Sequence, residues 1–107
     1  MKLLIQLRTP TEMLSYEGCA LALTLATFGH DVQLYLDAPV FGLLMQSDTR
    51  LHGMIQSLEL YDMTAAWLPS DVFSGWLTGM IPAELASQIT LMPESINSKD
   101  FDQILSF

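Results

Sequence analysis

The sequence is poor in the residues that most chemistry needs. It has one cysteine, Cys19, and only two histidines, His30 and His52, in 107 residues. A single cysteine excludes an intrachain disulfide and fits a reducing compartment. There is no C-x-x-C, no H-E-x-x-H, no G-x-G-x-x-G and no G-x-x-x-x-G-K-[ST], so the common redox, zinc, dinucleotide and nucleotide motifs have no support and no cofactor is expected. Basic residues are also scarce. Four Lys and Arg against twelve Asp and Glu give a formal net charge of −8, which leaves no electrostatic footprint for a phosphate backbone and argues against direct nucleic-acid binding. No apolar run approaches the about 18 residues of a membrane span. The apolar start, Met1 to Leu7, is broken by Arg8 and Thr9-Pro10-Thr11 before it reaches the length of a signal-peptide core. A cytoplasmic protein without a membrane segment is the expectation.

Apolar residues, by contrast, are plentiful. They make up 50% of the chain, with seven methionines and two tryptophans, while a chain this size buries only roughly two thirds of the surface its unfolded form exposes. Apolar area left over suits either a Met-rich core or a partner surface.

Strand and helix patterns alternate along the chain. Leu3 to Leu7 reads as a buried opening strand. A helix is expected from Ser15, with Glu17 in its first turn and Gly29 as its stop. Val32, Leu34 and Leu36 mark a second strand, and strand, helix and strand within 36 residues form a parallel βαβ unit. Val40 to Met45 suits a short helical turn or loop. Gln46 to Thr49 can cap a helix whose buried stripe is Leu51, Met54, Ile55 and Leu58, ending near Leu60. Met63 to Leu68 is a third strand. Ser70 is placed to cap a helix through Val72, Phe73, Trp76 and Leu77, and Pro82 to open a short turn through Ala86. Gln88 to Met92 is a fourth strand, Ser95 to Asp100 a polar linker, and Phe101 to Phe107 a fifth strand. The whole of 1–107 is expected to form one α/β domain with a mostly parallel five-stranded sheet between helical layers, a three-layer α/β/α arrangement.

Parallel sheets place ligand sites at the carboxyl ends of their strands, and the loops after Leu7, Leu36, Leu68 and Met92 hold few reactive groups. Cys19 is the one candidate nucleophile. Near a helix start, beside Gly18, exposed backbone donors would lower its pKa; as a small buried apolar residue it would be inert. His30 and His52 have no acid, serine or cysteine at a catalytic spacing and read as surface histidines. Asp48, Asp62 and Asp71 read as helix caps or solvent-facing carboxylates, with no metal site.

Several segments, in order, resemble the DsrE/DsrF-like family, and its TusC/DsrF type in particular. Glu17-Gly18 is similar to an R-E-G helix opening, and Val40-Phe41 with Leu43-Leu44 to V-F-x-L-L. Leu58 with Leu60-Tyr61-Asp62 resembles L-x-L-Y-D, with Trp67 following, and Phe101 to Phe107 resembles a Y-D-x-I-L-x-F terminus with Phe101 for the tyrosine. The resemblance spans nearly the whole chain. It implies a five-stranded α/β/α domain in a heterohexamer that passes persulfide sulfur between cysteines, either for tRNA thiolation at the wobble uridine or for intracellular sulfur oxidation. The carrier cysteine belongs chiefly to the TusD/DsrE-type sister. In some relatives a cysteine follows the third strand two residues after the tryptophan, where this chain has Pro69. The stretch between Met45 and Leu51 is also shorter than in the TusC type.

The resemblance therefore implies a non-catalytic subunit partnered by DsrE/TusD-type and DsrH/TusB-type sisters, or by itself, as an oligomer. Two other expectations stay open: a sulfur acceptor using Cys19, and a stand-alone small-molecule-binding or regulatory module. For the subunit reading, Phe41, Leu44, Tyr61 and Trp67 are expected at or just beneath an interface, as large residues near strand ends.

Overall fold

A computed structural model describes residues 2–46, 48–69, 83–93 and 96–107. Five parallel strands, β1 (Lys2–Leu7), β2 (Asp31–Leu36), β3 (Ala66–Leu68), β4 (Ile89–Leu91) and β5 (Gln103–Ser106), form one sheet in the order β4-β3-β2-β1-β5. Among the described residues are the α-helices α1 (Glu12–Thr27), α2 (Phe41–Leu44) and α3 (Arg50–Gln56) and 3-10 turns at Ala38–Val40, Leu58–Tyr61, Ala83–Gln88 and Ser98–Asp100. The expected α/β class and the parallel sheet are present. The radius of gyration is 12.7 Å, close to the about 13 Å of a single domain of about 100 residues. Among the described residues no helix is long and apolar enough to cross a membrane.

Strand alternation sorts the sheet into two faces. Leu3, Ile5 and Leu7 pair in register with Val32, Leu34 and Leu36, and these pack with Ala66, Leu68 and Ile89 into one core. Against that face lie Cys19, Ala22 and Leu23 of α1 and Leu51 and Ile55 of α3. The opposite face carries Leu4, Gln33, Tyr35 and Trp67. There the Phe101 ring meets Trp67 edge-on at 6.1 Å, with the Lys2 ammonium 5.4 Å above it. The expected polar linker thus contains a 3-10 turn, held by Asn97, whose side chain accepts the Lys99 N–H while Asp100 accepts the Asn97 N–H.

Element boundaries differ from the expected ones for local reasons. α1 starts at Glu12, not Ser15, because the Thr11 hydroxyl accepts the Leu14 N–H and caps it. Met13 and Leu14 of its first turn are exposed, so the buried stripe does not mark the start. α1 ends in a Schellman arrangement: Gly29, at φ 91°, donates to the Ala26 carbonyl and His30 to that of Leu25. α3 stops at Gln56, and Leu58–Tyr61 continues as a 3-10 turn to Asp62, at φ 56°. β3 is three residues long because the side chain of Gln33 holds its approach. Gln33 Nε2 donates to the Ala65 carbonyl at 2.8 Å, and the Thr64 hydroxyl donates to Gln33 Oε1 at 2.8 Å. The helix expected over 72–77, with Ser70, Asp71 and Pro82, lies outside the described residues.

Candidate functional site

Cys19 falls in the middle of α1, two turns in from Glu12, so its own N–H belongs to the helical ladder and not to the exposed donors of the first turn. This corrects the expectation of a position near the helix start. The side chain is fully buried among core residues, and burial pushes its thiol pKa from 9.0 up to about 12. Gly18 beside it has a packing role: a Cβ there would stand 2.5 Å from Leu7 Cδ2 and 2.9 Å from the Phe107 ring. Its lack of a side chain lets α1 approach β1 and the Phe107 ring this closely.

His52 is not a surface histidine. It is 2% exposed, and its Nδ1 lies 2.7 Å from the Leu44 carbonyl. Gly53 beside it is exposed; the helix turns the histidine inward and the glycine outward. Thr49 braces the same corner. Its hydroxyl lies 2.6 Å from the Leu43 carbonyl and 2.9 Å from that of Gln46, and it accepts the His52 N–H that begins α3. These polar contacts tie the cap of α3 to the end of α2. His30 is half-buried at the amino-terminal edge of the sheet, while Asp48 and Asp62 are exposed. Among the described residues no group of three His, Cys, Asp or Glu side chains gathers where it could hold a metal.

The carboxyl-end rim of the sheet is tied up internally. The Phe107 carbonyl accepts the N–H groups of Arg8 and Thr9, and Asp37 Oδ1 accepts the Ala38 N–H. Arg8 Nε lies 3.5 Å from Asp37 Oδ2. Pro69, half-buried directly after β3, places a side chain with no nucleophile at the end of that strand.

The four residues expected near an interface do not converge. Leu44 and Phe41 are buried in the core near the carboxyl end of β2, Trp67 is half-buried on the opposite sheet face, and Tyr61 lies ahead of β3 at the other end. Of the four, only Tyr61, at 44% exposure, is open to solvent, and it is not alone: Leu60 is 83% and Phe28 76% exposed. Leu60 and Tyr61 line an open cleft of about 550 Å³ together with Ala26, Thr27, His30 and Met63; Phe28 is not among the lining residues. Asp31 and Asp62 also line it.

Phe28 and Leu60 escape a sequence reading that absorbs them into helices. The signal is present, since the stripe Leu51, Met54, Ile55, Leu58 leaves Leu60 off its face. A smaller apolar group, Met13 and Tyr16, sits near the start of α1, where the Arg50 guanidinium stacks 4.9 Å from the Tyr16 ring and Glu12 accepts the Arg50 N–H. Comparison with known proteins finds no matching family model, no matching curated protein and no matching solved structure.

Proposed function

We propose that the chain is a non-catalytic subunit of a cytoplasmic persulfide-relay assembly of the DsrE/DsrF-like kind, serving tRNA thiolation or intracellular sulfur oxidation by holding cysteine-bearing sister chains in place. The observation that carries this reading is the sealing of its one thiol. Persulfide transfer requires a thiolate to attack the outer sulfur of a donor persulfide and expel the donor's thiolate. With a pKa of about 12, roughly one Cys19 in 10⁵ is ionised at neutral pH, and full burial keeps a donor from reaching it. This weighs against Cys19 as a sulfur acceptor. Pro69, where some relatives carry a cysteine, offers no substitute.

A parallel five-stranded sheet, which the resemblance implies, is compatible with the reading, and the exposed Phe28, Leu60 and Tyr61 supply apolar surface for a partner. A small-molecule module is the second reading, favoured by the open cleft. That cleft lies at the amino-terminal edge of the sheet, however, and not at the carboxyl ends where α/β folds hold ligands. The test is reconstitution of sulfur transfer with cysteine-bearing chains of the DsrE/TusD type. Cys19→Ala is expected to leave transfer unchanged while omission of the chain lowers it; loss of transfer in Cys19→Ala alone would overturn the reading.

A further inference from the structure

We infer that the cleft lined by Leu60 and Tyr61 is a docking groove for a basic amphipathic helix of a partner protein. This deepens the scaffold reading, on which it rests for expecting a protein occupant. Leu60 is not exposed through fraying. Its turn is held by Leu60 N–H to Ser57 O, Asp62 N–H to Glu59 O and Met63 N–H to Leu58 O, and Gln88 Oε1 accepts the Glu59 N–H from the neighbouring segment. The opposite wall is fixed by the Schellman turn at Gly29. Two hydrogen-bonded turns therefore hold large apolar side chains in water, a geometry that stays unfavourable until something covers it.

The charge around the groove selects the occupant. The exposed Asp31 and Asp62 line it, and no Lys or Arg is among its described lining residues. The nearest base by strand register, Lys2 beside Asp31, is turned over the Phe101 ring. A second copy of this chain would set an acidic rim against an acidic rim at a net charge of −8 on each molecule, which is repulsive. A helix presenting leucines at helical spacing with lysines or arginines on its flanks complements both features, with apolar anchors against Leu60 and Tyr61 and cations at Asp31 and Asp62.

The test uses the full chain, ¹⁵N-labelled, titrated with a Leu/Lys peptide of about 14 residues in helical spacing and with its Leu/Glu counterpart. Saturable binding of the Lys peptide is expected, with amide shifts concentrated at Thr27 to Val32 and Leu60 to Thr64. Leu60→Ser should weaken it about tenfold, since one large apolar contact is lost; Asp62→Asn and added salt should weaken it several-fold, and the Glu peptide should not bind. The proposal is overturned by shifts spread over the acidic surface, by equal binding of the Glu peptide, by an unchanged affinity in Leu60→Ser, or by no saturable binding up to about millimolar peptide. Concentration-dependent shifts of the same amides without peptide would assign the groove to a second copy and also overturn it. If the sister chains still assemble with Leu60→Ser at full affinity, the groove proposal fails and the scaffold reading stands; peptide binding without any sister assembly would uphold the groove and remove the scaffold reading.

Discussion

Replacing Cys19 with alanine should change how stability depends on pH more than it changes stability at neutral pH. The thiol is held at about 12 in the folded chain against 9.0 for a solvated cysteine, because burial disfavours the thiolate. Below about pH 9 the thiol is protonated in both folded and unfolded states, and the full stability is present. Between about pH 9 and 12 the unfolded chain releases the proton and the folded chain retains it, so stability falls with rising pH by up to about 1.4 kcal/mol per unit. Near pH 10.5 the loss should be roughly 2 kcal/mol. Cys19→Ala removes that contribution and, at about pH 8, should cost on the order of 1 kcal/mol for the vacated volume.

Urea unfolding of both proteins at about pH 8 and about pH 10.5 separates the two effects, because every group other than residue 19 is common to both and cancels in the difference. The stability gap should shrink or change sign on going to the higher pH. The same burial should make alkylation of native Cys19 at neutral pH slower than in denaturant by a factor on the order of 10³. A stability gap that stays constant with pH, or native alkylation within about tenfold of the denatured rate, would refute a sealed thiol.

Three further outcomes follow from named contacts. Leu44→Ala should destabilise the fold by about 2–5 kcal/mol in urea unfolding, because Leu44 is fully buried in the core and its loss leaves a cavity. Thr49→Ala should cost about 0.5–2 kcal/mol in the same assay, since it removes the α3 cap and the brace to the Leu43 carbonyl. At Asp62, held at φ 56°, Asp62→Gly should leave the thermal midpoint unchanged or raised, whereas Asp62→Val should lower stability by about 1–2 kcal/mol.

Much of the sheet is legible in the sequence because apolar runs bounded by Pro, Gly and Asp announce buried strands, as in Leu3 to Leu7 and Val32 to Leu36. β3 is shorter than its apolar run suggests because the Gln33 side chain, from a neighbouring strand, takes over polar groups of its approach; no local pattern encodes that. The start of α1 lies ahead of its apolar stripe because a capping threonine after proline is a quieter signal than the stripe itself. His52 departs from expectation for a related reason: its neighbour Gly53 suggests surface, but the period of Leu51, His52 and Ile55 turns the ring toward the Leu44 carbonyl.

The candidate site is less legible than the fold. Cys19 stands out as the sole thiol, yet its depth depends on the close packing of Gly18 on Leu7. Composition predicts exposed apolar surface but not its location. Leu60 and Tyr61 stand out only once the turn that holds them is set beside the start of β2 across the cleft.

The most direct test of the scaffold account is the solution mass of the chain, alone and co-expressed with cysteine-bearing chains of the DsrE/TusD type, by size exclusion with light scattering. The account predicts a mixed complex, larger than the 11.9 kDa chain, that contains a cysteine-bearing sister and forms equally well with Cys19→Ala. A chain that remains a monomer in the presence of every such sister would contradict it.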